Sequence, residues 1–176
     1  SSSQPGMGPE NTINGSGLTD GQHGTVSTTM WLSSGVLPQW IQYEFDAVYK
    51  LSDLKVWNSN QAIESILGFG AKTVQIELST DGATWTAVPD VPEFAWAAGS
   101  PGYTADTTVD LGGALAKYVR LTILSNWGGL SPQSGLSEVQ FSHVPVRARE
   151  PQPAVGAVGV DPRLVLSWRP GREAGK

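Results

Sequence analysis

Hydrophobic and polar positions alternate over short runs along most of the chain, and Gly, Asn, Asp and Pro break the runs. A period of two predicts β-strands with one buried face. The clearest run is 72–79, where Val74, Ile76 and Leu78 share one face and Thr73, Gln75 and Glu77 the other. Asp81-Gly82 then reads as a turn and 84–88 as the returning strand. In 39–45, Ile41, Tyr43 and Phe45 oppose Trp40, Gln42 and Glu44; in 51–58, Leu54 and Val56 oppose Lys55 and Trp57. Runs at 106–111, 117–124 and 136–144 bring the set to at least seven strands. No long stretch follows the 3.6-residue period of a helix. Short strands behind a long irregular opening segment predict an all-β sandwich.

Composition sharpens this picture. The chain has 176 residues, with 21 Gly and 12 Pro, and also 7 Trp, 4 Tyr and 4 Phe. Disordered chains are charge-rich and aromatic-poor, so the Gly and Pro content points to turns. The absence of Cys excludes disulfides, thiolate zinc sites, iron–sulfur clusters and cysteine nucleophiles. No apolar run reaches the roughly 18 residues of a membrane span, so no membrane insertion is expected. The opening Ser-Ser-Ser-Gln-Pro-Gly lacks the basic and apolar regions of a signal peptide; either one has been removed or the chain is an excerpt of a larger protein.

Charge divides the chain. Residues 1–144 carry 13 acidic and five basic groups, a formal −8, whereas 145–176 carry six basic and three acidic groups, a formal +3. A body at −8 repels phosphate backbones, which argues against nucleic acid. It suits a neutral ligand, a cationic partner or a bound metal ion. The shift at Val144-Pro145 marks a boundary between a domain at 1–144 and a linker-like segment at 145–176. That segment is punctuated by Pro145, Pro151, Pro153 and Pro162 and ends in Leu164–Gly171, "LVLSWRPG". It resembles the start of a fibronectin type III domain, of which only the first two strands would be present. Two strands enclose no core.

Four stretches carry a second resemblance: "PQWIQYEFDAVYKLSDLKVWN" (38–58), "VQIELSTDGATWTAV" (74–88), "AKYVRLTI" (116–123) and "GLSEVQF" (135–141). In this order they resemble the discoidin, or coagulation factor V/VIII type C, superfamily. The bacterial members most similar to it are the family 32 carbohydrate-binding modules. The resemblance covers about residues 8–144 and implies a galactose-binding-like jelly-roll β-sandwich, a structural calcium ion, and a ligand site in loops at one end. It also implies that Trp31 is buried and that loops after 51–57 and 117–124 line a sugar site. The clotting members carry a disulfide joining the domain ends; this chain has none, which places it nearer the bacterial side.

Three kinds of chemistry were weighed on the residues. For catalysis, His23 and His143 are far apart, and there is no Gly-x-Ser-x-Gly elbow, His-Glu-x-x-His pair or phosphate-cradling loop. The carboxylates fall at strand edges and turns, so no enzyme is expected. For calcium, 10–25 is dense in Asn, Asp, Gly and hydroxyls, the oxygen donors that ion takes. Here the family resemblance implies an Asp-Gly-Asn-x-x-Thr loop closed by a Glu near the last strand. Two registers compete: Asn14-Gly15 stands in the family's usual place without its charge, and Asp20-Gly21 with Thr25 keeps the Asp-to-Thr spacing further on. Glu138 is the closing carboxylate in either case. The bland alternative is a solvated loop with no metal. Asn14-Gly15-Ser16 is also a glycosylation sequon.

For sugar binding, an aromatic platform must be paired with hydrogen-bonding groups. Trp40 and Trp85 follow strand patterns and are expected in the core with Trp31. Trp127 follows Asn126 and precedes Gly128-Gly129, where glycines would let a ligand approach. Trp57 stands beside Asn58 and Asn60, and Trp96 lies in an irregular Ala/Gly stretch. The candidate ligand residues are therefore Trp127, Asn126, Trp57, Asn58, Asn60, His23 and Trp96. Against each Trp stands the alternative that a loop covers it. The expected function is a non-catalytic carbohydrate-binding module that targets a larger secreted or cell-surface bacterial protein to a glycan or polysaccharide, as a monomer within that protein. The alternatives are an adhesion or protein-interaction module and a structural spacer, which a glycan array separates from the first reading.

Overall fold

The computed structural model describes residues 1–129, 131–146 and 148–171. Strands in chain order are β1 (Leu18–Thr19), β2 (Gln22–His23), β3 (Trp31–Leu32), β4 (Gln39–Asn58), β5 (Val74–Ser79), β6 (Thr86–Ala87), β7 (Tyr103–Thr104), β8 (Thr107–Ile123), β9 (Gly135–His143), β10 (Arg149–Gln152) and β11 (Ser167–Arg169). One short helix, α1, spans Glu64–Leu67, and 3-10 turns occupy Pro9–Thr12 and Ser27–Thr29.

The two strands expected at 39–45 and 51–58 are one 20-residue strand, β4, and those expected at 106–111 and 117–124 are one 17-residue strand, β8. The pair runs antiparallel from Gln39↔Ile123 to Val56↔Thr107, with irregularities between Glu44 and Tyr49 and between Leu51 and Asp53. Gly112 and Gly113, both at positive φ, lie in the β8 stretch opposite and accommodate the bend. The ribbon therefore passes from one layer to the other. Its first half pairs through β8 with β5, Val74↔Ile123 to Ser79↔Tyr118, and its second half pairs through β4 with β9, Leu51↔His143 to Asn58↔Leu136. The complete sheet order is β3-β9-β4-β8-β5-β6.

The inward residues of both halves meet in one core: Ile41, Leu54, Val56, Ile76, Leu78, Val109, Val119, Leu121, Ile123 and Val139. Tyr43 and Phe45 of the first layer pack edge-on against Phe141 of the second, at 5.3 and 5.2 Å between ring centroids. Trp31 is fully buried, as the resemblance implies. The fold is an all-β, galactose-binding-like sandwich. The expected return strand at 84–88 shrinks to Thr86–Ala87, because 80–85 forms a wider loop. Within it, Ala83 and Thr84 N–H groups donate to Asp81 and hold its carboxyl down at about 2.

Trp40 and Trp85 are not core residues. Trp40 is 47 % exposed and Trp85 half-buried, because both lie on the outward face with Gln42 and Arg120. The Arg120 guanidinium sits 3.9 Å from the Trp85 ring centroid and 5.9 Å from that of Trp40, and bonds Gln42 Oε1. Strand parity had placed Trp40 on this polar face; cation–π packing, not burial, accounts for it.

β1, β2 and β7 form a separate three-stranded sheet. Its β1–β2 hairpin turns at Asp20-Gly21, both at positive φ, as a two-residue hairpin requires. Beyond β9, among the described residues, β10 and β11 pair only with each other, tied by an Arg169–Glu150 ion pair of 2.9 Å. Val155, Val158, Val165 and Trp168 of this segment are exposed. Residues 147 and 172–176 of the segment expected to begin a further domain lie outside the described residues.

Candidate functional site

Three loops meet at one end of the sandwich: 59–73, which contains α1, then 88–102, then 124–134. Main-chain bonds lock them together: Phe94 N–H donates to Lys72 O, Lys72 N–H to Ser125 O and Trp127 N–H to Gly70 O. Gly128 N–H donates to Gly68 O, and a Cβ on Gly128 would collide with the Leu67 carbonyl. The expectation that Gly128 opens space for a ligand is thus corrected, since its bare backbone seats the loop against the end of α1. Gly68, at φ +61°, caps that helix and is equally intolerant of a Cβ.

On this base two indoles stack. Trp96 and Trp127 lie 5.7 Å apart between centroids with planes 5° from parallel. Trp127 is half-buried and its indole N–H donates to Phe94 O at 2.9 Å. Trp96 is 46 % exposed, and in the 59–73 loop the buried Glu64 carboxylate accepts the Gly70 N–H and the Ser59 hydroxyl. Lys72 Nζ lies 4.7 Å from the Trp127 centroid and 3.8 Å from Glu93 Oε1. The result is an exposed aromatic surface of fixed orientation with a cation and an anion at its edge. Clefts of about 450 Å³ at Pro9, Ile13, Tyr43 and Phe141, and 360 Å³ at Leu78, Val88 and Leu111, lie elsewhere.

The asparagines expected to direct a ligand brace the loops instead. Asn58 is fully buried; its Nδ2 donates to Ala71 O and Ala95 O, both at 2.7 Å, and its Oδ1 accepts Ser59 N–H. Asn60, also fully buried, donates to Gly24 O and Ser100 O and accepts from the N–H groups of Gly99 and Ser100. Asn126 donates to Ser131 O and Gln133 O and accepts from Gly129 N–H. Each amide satisfies main-chain groups that irregular loops leave unpaired. None of the three faces solvent with free capacity.

The β1-β2-β7 sheet accounts for two further corrections. It covers the outward side of β4 near Trp57, which is only 4 % exposed and donates its indole N–H to Gly21 O. His23 is fully buried, with Nδ1 against Gly24 O at 3.0 Å and Nε2 unpartnered beside Gly17. Neither is a ligand group on an open surface.

Of the calcium candidates, Glu138 stands apart. It lies opposite Trp57 across the β4–β9 pair and is 3 % exposed, with Gly15 nearby. Its Oε2 has no partner, and burial pushes its carboxyl up to about 7. A buried carboxylate with a free oxygen beside an oxygen-rich loop is the chemistry a hard cation would satisfy. The other candidates fit less well. Asn14 Oδ1 accepts Ser16 N–H at 2.8 Å, Asp20 is exposed on the hairpin turn, and Thr25 is half-buried. Among the described residues no three His, Asp or Glu converge as a metal site.

The family profile of the F5/8 type C domain matches residues 1–139. The chain belongs to this family. F5/8 type C membership accounts for the β-sandwich, and solved structures similar to the chain share it. One is CBM32-3 from a family 31 glycoside hydrolase of Clostridium perfringens, at 19 % identity and TM-score 0.61, covering 81 % of this chain and 86 % of that one. Another is the family 32 module of NanJ from the same organism in complex with galactose, at 15 % and 0.57, covering 80 % and 88 %. A third is the family 32 module of AlyQ in complex with 4,5-unsaturated mannuronic acid, at 21 % and 0.55, covering 81 % and 91 %. At these identities the likeness establishes the fold. No curated protein matches.

Within this F5/8 type C domain, sequence reasoning missed Lys72, Glu93 and Glu64. Lys72 was read only as the edge of a strand. Its signal was its position beside Thr73 at the mouth of β5, where it meets the loop after β8. Glu64 gave no signal, since a carboxylate in "QAIESILG" reads as a solvated helix face.

Proposed function

We propose that the chain is a non-catalytic carbohydrate-binding module whose sugar platform is Trp96, backed by Trp127. The observation that carries this reading is the stacked pair itself. Two large rings lie parallel at an exposed loop end, and the N–H of the supporting Trp127 is fixed to the scaffold, so little order has to be gained on binding. A sugar presents flat C–H faces to such a ring and hydroxyls to its rim, where Lys72 and Glu93 offer a donor and an acceptor. The module bound to galactose, that bound to the unsaturated mannuronic acid and a third in complex with GalNAc share this fold. They support a saccharide as the ligand class.

Calcium belongs to the same proposal as a structural ion, held by Glu138 with main-chain oxygens of the neighbouring 13–17 loop; it would supply the positive charge that the buried carboxylate lacks. The setting proposed is a secreted or cell-surface bacterial protein, in which this module holds the parent on a glycan. The test is a glycan array followed by titration of each hit against the Trp96→Ala variant. Hits that vanish with Trp96 support the platform; silence across the array favours the adhesion reading.

A further inference from the structure

We propose that the outward face of the β4-β8-β5 layer is a second binding site, built on Arg120, for a carboxylate-bearing saccharide of the uronic acid class. It lies on the sheet, apart from the loops that carry Trp96 and Trp127, and it stands whether or not those rings bind sugar.

Register puts Arg120 in the middle of this face, with Gln42 of β4 and Glu77 of β5 as its cross-strand partners. Its Nε and Nη2 both donate to Gln42 Oε1, at 3.4 and 3.1 Å. That bond occupies one edge of the planar guanidinium. The other edge, Nη1 together with the second Nη2 hydrogen, has no hydrogen-bond or ion-pair partner among the described residues. Arg120 is only half-buried, and none of its nitrogens is enclosed without a partner, so this edge meets solvent. Two coplanar N–H groups side by side match the two oxygens of a carboxylate. The neighbouring charges are differently placed. Glu44 is taken by Lys117 Nζ at 3.2 Å and by the Tyr118 hydroxyl at 3.2 Å, whereas Glu77 stands beside Arg120 without an ion pair.

The rings around the fork select what carries the carboxylate. The guanidinium carbon lies 3.9 Å from the Trp85 centroid and 5.9 Å from that of Trp40, which keeps 47 % of its surface exposed. An acid seated in the fork therefore brings its parent group against an indole. A uronic acid carries its carboxylate on a ring with a flat C–H face, which an indole can stack; a peptide carboxylate brings no such face. The charge matches as well. A body of formal −8 repels a dense polyanion, and Glu77 adds to that locally, so one cation accepts one carboxylate and not a phosphate backbone. A single fork with one ring is a site of roughly millimolar strength, too weak for retention on an array and within reach of a resonance titration.

The test titrates the full chain with trimers of galacturonic, glucuronic and mannuronic acid and, in parallel, with uncharged galactotriose, following the indole N–H resonances of Trp40 and Trp85. The expected result is that an acidic trimer shifts both resonances and galactotriose neither. Arg120→Lys keeps the charge and loses the fork, and should weaken binding by about 10-fold. Trp40→Ala should weaken it by about 5-fold or more. Glu77→Gln removes the opposing anion and should tighten binding, a gain that no loss of folding can imitate. Unmoved resonances with every acid, or equal binding by wild type and Arg120→Lys, would overturn the proposal. An acidic peptide that binds as tightly as the trimers would overturn the saccharide assignment. Acid binding that disappears in Trp96→Ala would place the acid at the loop end and overturn the sheet site.

Discussion

Trp96 and Trp127 come from loops about thirty residues apart, yet their planes are 5° from parallel, with the Trp127 N–H fixed by Phe94 O. The two rings are not equivalent. Trp127 is half-buried in the loop junction, whereas Trp96 presents 46 % of its surface to solvent. Removing Trp127 should therefore reduce stability as well as binding, by about 1–3 kcal/mol for the Phe94 carbonyl left unpaired under a half-buried ring. Thermal melts of Trp127→Ala and Trp96→Ala side by side check this: the first should melt lower, the second close to wild type.

Asn60 holds three segments through its amide. Asn60→Ala removes those bonds and leaves buried main-chain groups without partners, at roughly 1–3 kcal/mol for each group left unsatisfied. A urea midpoint well below wild type is the expected outcome. If Asn60→Ala melted like wild type but lost sugar binding, Asn60 would return to the ligand.

A structural calcium binds only the folded chain, so it raises the melting temperature by mass action. Chelator should lower the melting temperature and calcium restore it, and Glu138→Gln should remove the difference. Identical melts with and without chelator would leave the free Glu138 oxygen unexplained by a metal.

The sandwich strands end at His143, and among the described residues β10 and β11 pair only with one another. A chain ending at Val144 keeps every strand of the six-stranded sheet and the Val144 N–H bond to Lys50 O. It should melt within a few degrees of the full chain, on the scale where 1 kcal/mol shifts a domain of this size by about 2–8 °C. A collapse on trimming would make the tail an integral part of the sandwich.

Much of the fold was legible because alternation reports burial directly: Val74, Ile76 and Leu78 read as an inward face and are one. The merging of two runs into β4 is not legible, because a bulged bend across which the strands stay paired looks like a turn in sequence. Trp40 shows a conflict between residue type and parity. Its hydrophobicity suggested the core, its place between Gln39 and Gln42 the surface, and parity was right. The site was less legible. The sequence points to Trp96 and Trp127, but equally to Asn58, Asn60 and Asn126 as ligand groups, because an amide that binds a sugar and one that braces a loop look alike in sequence. Trp57 and His23 looked accessible because the covering β1-β2-β7 sheet is built from strands two residues long, too short for any periodicity to show.

The central claim is that a saccharide stacks on Trp96. The most direct measurement is one glycan array probed in parallel with the wild-type chain and Trp96→Ala, with affinities then titrated on the hits. Wild type should retain a single class of saccharide. Trp96→Ala should bind it about 5- to 150-fold more weakly, the equivalent of about 1–3 kcal/mol for one stacking contact, with an unchanged melting temperature. Equal binding by the two proteins would contradict the account.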